Sequence, residues 1–329
     1  MIDNNKKNIN IWLCICALLV FSIIMLGGYT RLTHSGLSIV EWKPISGVIP
    51  PLNQYDWEKE FTQYKESPEY KKVNFGMELS EFKKIFLIEY LHRVLGRITG
   101  MAFLIPFLYF LLKKKLSTKD SLYYFSISCL IAMQGTIGWL MVKSGLIDKP
   151  NVSQYRLALH LFMACIILIF LIWKIIPGNS RRSKYANVSL ALLLLQIVSG
   201  AFVSGLHAGL TYNTFPLMDG QIIPYGLFKM SPWYINIFEN ITTVQFIHRV
   251  LGIINIINLL AYSFKILNLK ELKKIAICLS SFVTIQFFLG ISTLILQVPL
   301  LLGMLHQTMA IILLITMVIS LKDLREKSE

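Results

Sequence analysis

The sequence predicts an all-α integral membrane protein. Its eight transmembrane helices would form two tandem four-helix bundles with pseudo-two-fold symmetry and both termini in the cytoplasm. Three observations predict this. The chain is 55% hydrophobic and only 15% charged, with a mean hydropathy of +0.59, whereas a soluble domain carries about 25% charged residues. Its apolar residues gather into runs long enough to cross a bilayer. It also repeats itself: His92-Arg93-Val94-Leu95-Gly96 returns as His248-Arg249-Val250-Leu251-Gly252.

Residues 9–28 form the first apolar run, preceded by Lys6 and Lys7. No small-residue cleavage site follows, so it reads as a retained helix rather than a signal peptide. Residues 29–84 differ in kind, with Pro50, Pro51, Pro68, Trp42 and Trp57 among interleaved Glu and Lys. This stretch predicts a long, ordered external loop that packs aromatic side chains over the helix ends. Further spans are predicted at 85–112, 121–142, 154–176, 186–206, 242–264, 275–297 and 303–321, each near the roughly 20 residues a bilayer requires.

The net charge of +14 is carried by short patches between these runs. Lys113–Lys115 with Lys119, then Arg181, Arg182 and Lys184, then Lys265, Lys270, Lys273 and Lys274, then Lys322, Arg325 and Lys327, all fall on the side of Lys6 and Lys7. That is the positive-inside pattern of a lipid-embedded chain, not a nucleic-acid-binding face. Cys14, Cys16, Cys129, Cys165 and Cys278 all lie within apolar runs, which predicts no structural disulfide.

The repeat extends beyond one motif. Gly27–Leu37 leaves the first span as Gly200–Leu210 leaves the fifth, and His160 opens the fourth as His306 opens the eighth. Two units follow, 1–178 (with the external loop 29–84) and 185–329, joined by the short polar linker Pro177–Tyr185. Each holds an even number of spans, so both share one orientation.

Four histidines, His92, His160, His248 and His306, then lie at a similar depth, two per unit. A lone intramembrane imidazole is commonly a helix-bridging hydrogen-bond partner. Four at matching places in a duplicated bundle fit better as two pairs, each gripping one haem iron from both sides. Zinc fits less well, since no third ligand recurs in both halves. Arg93 and Arg249 can neutralise haem propionates or snorkel to the interface. His34 and His207 occupy matched external positions of undefined role.

The repeat departs from itself three residues before the first histidine of each unit, where the first copy has Glu89 and the second Gln245. An intramembrane carboxylate is a functional candidate, although Glu89 can also pair with Arg93 at i+4. The asymmetry assigns chemistry to the first unit and a passive or electron-transferring haem to the second.

These residues resemble the haem A synthase family, of the mitochondrial and related bacterial type. The resemblance rests on GGYTRLTHSGLSIVEWKP at 27–44, EFKKIFLIEYLHRVLGRITG at 81–100, QGTIGWLMVKSGL at 134–146, YRLALHL at 155–161, Tyr212–Gly220, QFIHRVLG at 245–252 and LHQ at 305–307. Another branch of that family carries a cysteine pair in its first external loop, and no Cys lies between residues 17 and 128 here. The resemblance implies that His248 and His306 ligate a resident haem b. It implies that His92 and His160 hold substrate haem O, with Glu89 essential to turnover. It also implies oxidation of the C8 methyl of haem O to a formyl group through hydroxylated intermediates, with oxygen from water and electrons passed to an unidentified acceptor. A haem O synthase (a farnesyltransferase), cytochrome oxidase assembly factors and a location in the bacterial or mitochondrial inner membrane follow by the same logic. Two other readings remain open: a dihaem b-type membrane electron carrier, and a haem transporter or chaperone.

Overall fold

A computed structural model describes residues 2–43, 46–147, 149–180 and 183–323. Pro44 and the basic residues Arg181, Arg182, Arg325 and Lys327 lie outside the described residues. Eleven α-helices are described: α1 Ile2–Leu32, α2 Gln54–Lys65, α3 Pro68–Lys72, α4 Leu79–Leu112, α5 Thr118–Gly145, α6 Gln154–Ile175, α7 Lys184–Gly205, α8 Asn236–Glu239, α9 Ile241–Leu267, α10 Lys273–Ile295 and α11 Leu300–Ser320. Eight of them (all but α2, α3 and α8) are long and apolar enough to cross a membrane. Their outer faces carry large apolar side chains such as Leu18 and Phe264, 65% and 67% exposed. A water-soluble protein does not tolerate such a surface, whereas lipid covers it. This is an integral membrane protein.

The spans fall where hydropathy places them, but several helices begin earlier. α4 starts at Leu79 rather than 85, because Glu78 and Glu81 form a capping box that satisfies its first amides. Its first turns are polar, so hydropathy cannot see them. Side-chain caps likewise start α2 at Asn53, α3 at Ser67, α5 at Ser117, α7 at Ser183 and α9 at Asn240. All five cysteines are free thiols.

The chain divides into two compact units, Met1–Ile167 and Leu168–Glu329, with the division inside α6. In the first unit α1 packs on α4 and α4 on α5. Among the described residues of the 29–84 segment, α2 brings Trp57, Phe61 and Tyr64 onto Phe82 and Phe86 of α4, and Tyr70 of α3 packs on Phe61 and Tyr64. This aromatic cap covers the N-terminal turns of α4, as the composition of the loop predicts. In the second unit α7 packs on α9, α9 on α10, α10 on α11 and α11 back on α7, closing a ring of four. Asn179–Ser180 pairs antiparallel with Lys322–Asp323, and Lys322 donates to Gly178 O at 3.1 Å.

His34 and His207 each lie two residues beyond the end of a spanning helix, in left-handed backbone at φ 51° and 53°. In the first unit Ser35 N returns to Thr30 O at 3.0 Å. Both histidines therefore occupy the helix-stopping position that usually takes glycine.

Candidate functional site

The first unit places a buried, hydrogen-bonded carboxylate in the N-terminal part of α4. Glu89 is 2% exposed. Its Oε1 accepts from Arg93 Nε and Nη2 at 3.0 and 2.7 Å, and its Oε2 from Ser38 Oγ and Ile39 N at 2.7 and 2.9 Å. Each oxygen takes two hydrogen bonds, which fills the roughly four lone-pair positions a carboxylate offers. The i,i+4 pairing anticipated for Glu89 and Arg93 is therefore made. Arg93 also reaches Ile39 O and Glu41 O, at 2.8 and 3.3 Å, and lies over the Trp42 ring. The two side chains together clamp the segment after α1 to α4.

One turn further along α4, His92 faces α1 at Gly27, where an added Cβ would come within 3.1 Å of Nε2. His160, on α6, faces α5 at Gly138, with the corresponding distance 2.9 Å to Cε1. The Gln134 amide, one turn before Gly138, donates to His160 O at 3.0 Å and lies 3.5 Å from its ring Nε2. His160 Nδ1 and Gln134 Oε1 are both buried without a partner. His92 and His160 lie within electrostatic reach of each other.

The second unit repeats these relationships. His248 on α9 faces Gly200 of α7 at 3.2 Å, and His306 on α11 faces Gly290 of α10 at 2.9 Å. Gln196 Nε2 lies 3.2 Å from His248 Nδ1, and Ser199 Oγ is 2.7 Å from the same nitrogen. Gln286 Nε2 lies 3.5 Å from His306 Nε2, and Gln286 Oε1 and His306 Nδ1 are again unpartnered. These two histidines are also within electrostatic reach of each other. Arg249 donates to Tyr212 O and Thr214 O, both at 2.7 Å, and its buried Nε has no partner. Gln245 donates to Tyr212 O at 3.0 Å.

The residues present fit haem. Each unit offers two imidazoles near each other, glycines that let each ring lie against a neighbouring backbone, and unpartnered buried nitrogens. An iron held by one nitrogen of each imidazole would leave the other ring nitrogen to a hydrogen-bond acceptor, and a carboxylate against Arg249 Nε would satisfy that atom. Among the described residues no group of three or more His, Cys, Asp or Glu could close around a bare metal ion.

Reading the sequence alone misses the glutamines and their glycines. Gln134-x3-Gly138, Gln196-x3-Gly200 and Gln286-x3-Gly290 share one spacing, which places both residues on one helix face. That triple recurrence is the signal that could have found them.

The COX15-CtaA family, described as cytochrome oxidase assembly protein, matches residues 10–318. The chain belongs to this family. It is 47% identical over 332 residues to a protein of Nitrosospira multiformis named haem A synthase, covering 94% of this chain and 91% of the relative. A Wolbachia pipientis protein of the same name is 46% identical, covering 93% and 90%. A third, from Ehrlichia canis, is 42% identical, covering 94% and 92%. The histidine pairs and the Glu89 clamp all lie within the matched region.

Proposed function

We propose that this chain is a haem A synthase, an inner-membrane oxidoreductase that converts the C8 methyl of haem O to a formyl group through hydroxylated intermediates. The observation that carries the reading is the pairing of histidines in both units, with a buried carboxylate beside the pair in the first unit alone. His92 and His160 of unit 1–178 hold substrate haem O, and His248 and His306 of unit 185–329 hold a resident haem b. Arg249 meets haem b through its unpartnered Nε. Haem b, when bound, supplies one-electron redox chemistry.

Glu89 works as a fixed anion. Its four donors hold and orient it, and no lone pair is left without a donor. A carboxylate held this way stabilises the positive charge that develops at the ring-attached carbon as the methyl is oxidised. Arg93 holds Glu89 against the 39–41 segment and so fixes that anion relative to the macrocycle edge, where a small displacement costs rate. The oxygen comes from water, and the electrons leave to an acceptor outside the chain. A haem O-forming farnesyltransferase is the natural supplier of substrate, and oxidase assembly factors would receive the product.

The test is expression with a haem O source, followed by pigment extraction from the purified protein. Haem A in the extract is the expected result. Recovery of only haem B and unmodified haem O would overturn the reading in favour of a carrier or transporter.

A further inference from the structure

Three of the four candidate axial histidines are held by polar side chains, and one is not. His160 and His306 each face an i,i+4 glutamine–glycine pair, and in each case the glutamine Oε1 and the histidine Nδ1 are buried and unpartnered. An iron-bound imidazole nearly always donates its other ring N–H to a carbonyl, carboxylate or water. With Nε2 on iron, Nδ1–H of His160 can donate to Gln134 Oε1, and that of His306 to Gln286 Oε1. The amide nitrogen now lies against Nε2 at both sites, so this pairing needs the amide and the ring to turn, and it would then satisfy both unpartnered atoms at each site. His248 already has Gln196 and Ser199 at Nδ1.

His92 is the exception. The glycine facing it is Gly27, and the residues four and one before that glycine are Ile23 and Leu26. The residues four and one before Gly200 are Gln196 and Ser199. The correspondence holds in the packing of each unit. Gly252, four after His248, faces Gln196 Nε2 at 3.6 Å, and Gly96, four after His92, faces Ile23 Cδ1 at 3.3 Å. The same place on the partner helix thus holds an amide in one unit and a methyl in the other. Among the described residues, no side chain hydrogen-bonds the His92 ring.

We propose that His92 is the exchangeable axial ligand, which releases the iron to admit substrate and discharge product, while Gln134 is a positioning residue that keeps His160 attached. This rests on the reading of the histidine pairs as haem ligands. The physical reason is a difference in what the ring gains on binding. An imidazole whose N–H is anchored is oriented before it meets the iron and is a stronger donor. One set among Ile23 and Leu26 has neither advantage. A resident haem needs two anchored ligands, and a haem that must come and go is served by one.

The test is spectroscopic and does not depend on turnover. Protein purified with haem O and haem b bound is reduced with dithionite and titrated with carbon monoxide. The expected result is uptake of one carbon monoxide per haem O and none per haem b, and slower uptake in Ile23→Gln. Two further variants guard against a fold effect. His92→Ala should retain haem O with a high-spin ferric signal, whereas His160→Ala should lose haem O by at least the roughly tenfold that anchoring partners contribute. Carbon monoxide uptake by both haems, by neither, or loss of haem O from His92→Ala with retention in His160→Ala would overturn the inference. Those outcomes leave the synthase reading intact. Wild-type protein that binds haem b but never haem O would instead remove the reading beneath it.

Discussion

The two units present the same equipment with one reversed hydrogen bond. In the first, the side chain three before the α4 histidine is an acceptor, and Glu89 takes donors from Ser38 and Ile39 of the segment after α1. In the second, the matching side chain is a donor, and Gln245 gives to Tyr212 O. Both arrangements fix an inter-helix segment to a helix, and both use the following arginine to do it. Their electrostatics differ. Glu89 is ion-paired with Arg93 at 2.7 Å, while Arg249 and Gln245 both donate to the Tyr212 carbonyl. Holding the loop therefore does not require a carboxylate, because Gln245 does the same with an amide. The carboxylate is retained in the unit whose histidine pair is anchored on one side. The packing differs in the same sense. The second unit closes as a four-helix ring, whereas in the first α1 packs on α4 and α4 on α5, and α5 meets α6 at Gly138 and Gln134 against His160.

The largest expected effect that separates the units is loss of a haem. Gly138→Ala and Gly290→Ala each place a Cβ within 2.9 Å of a histidine Cε1, on His160 and His306 respectively. Overpacking of this kind costs about 1–3 kcal/mol, or roughly 5- to 150-fold in affinity. Gly138→Ala should lower haem O content and spare haem b, and Gly290→Ala should do the reverse, as read by extracted haem per protein. Parallel loss of both haems in either variant would mean that the units are not separate sites.

A smaller effect concerns the second buried carboxylate of the first unit. Glu69, on α3, is buried and accepts from Tyr64 at 3.0 Å. Burial raises it from 4.5 to about 7; the Tyr64 hydrogen bond opposes that, the Glu89 charge adds to it, and Arg31 opposes it. The folded state thus holds this proton more tightly than the unfolded chain does. Its contribution to stability is fully present below about 4.5 and is lost as pH rises through about 7. Glu69→Gln should match wild type in thermal unfolding at pH 4.5 and exceed it at pH 8, by on the order of 3 kcal/mol at most. A variant less stable than wild type at pH 8 would show that the Glu69 charge is needed in the fold. Among the described residues the second unit buries no carboxylate, so no matching pH dependence is expected from it.

Much of this was legible in the sequence. Runs of apolar residues gave the eight spans, because a bilayer imposes length and composition together. The repeat gave the histidines and the Glu89–Gln245 departure, because both lie in continuous motifs. What escaped were relations between helices. Gln134 and His160 are 26 residues apart and meet only across α5 and α6, and nothing local to either residue announces it. Helix starts such as Leu79 were hidden because capping, not hydropathy, sets them. The two histidines at positive φ kept their helix-stopping role hidden because glycine, not histidine, is the usual sign of that backbone.

The central claim is that the carboxylate of the first unit carries the chemistry, and Glu89→Gln tests it most directly by making the first copy match the second. The measurement is the pigment extracted from this variant after expression with a haem O source. The account predicts no haem A, retained haem O, and an unchanged low-spin haem b spectrum. Haem A at wild-type level would contradict it. Loss of haem b together with haem O would also contradict it, by making Glu89 part of the scaffold.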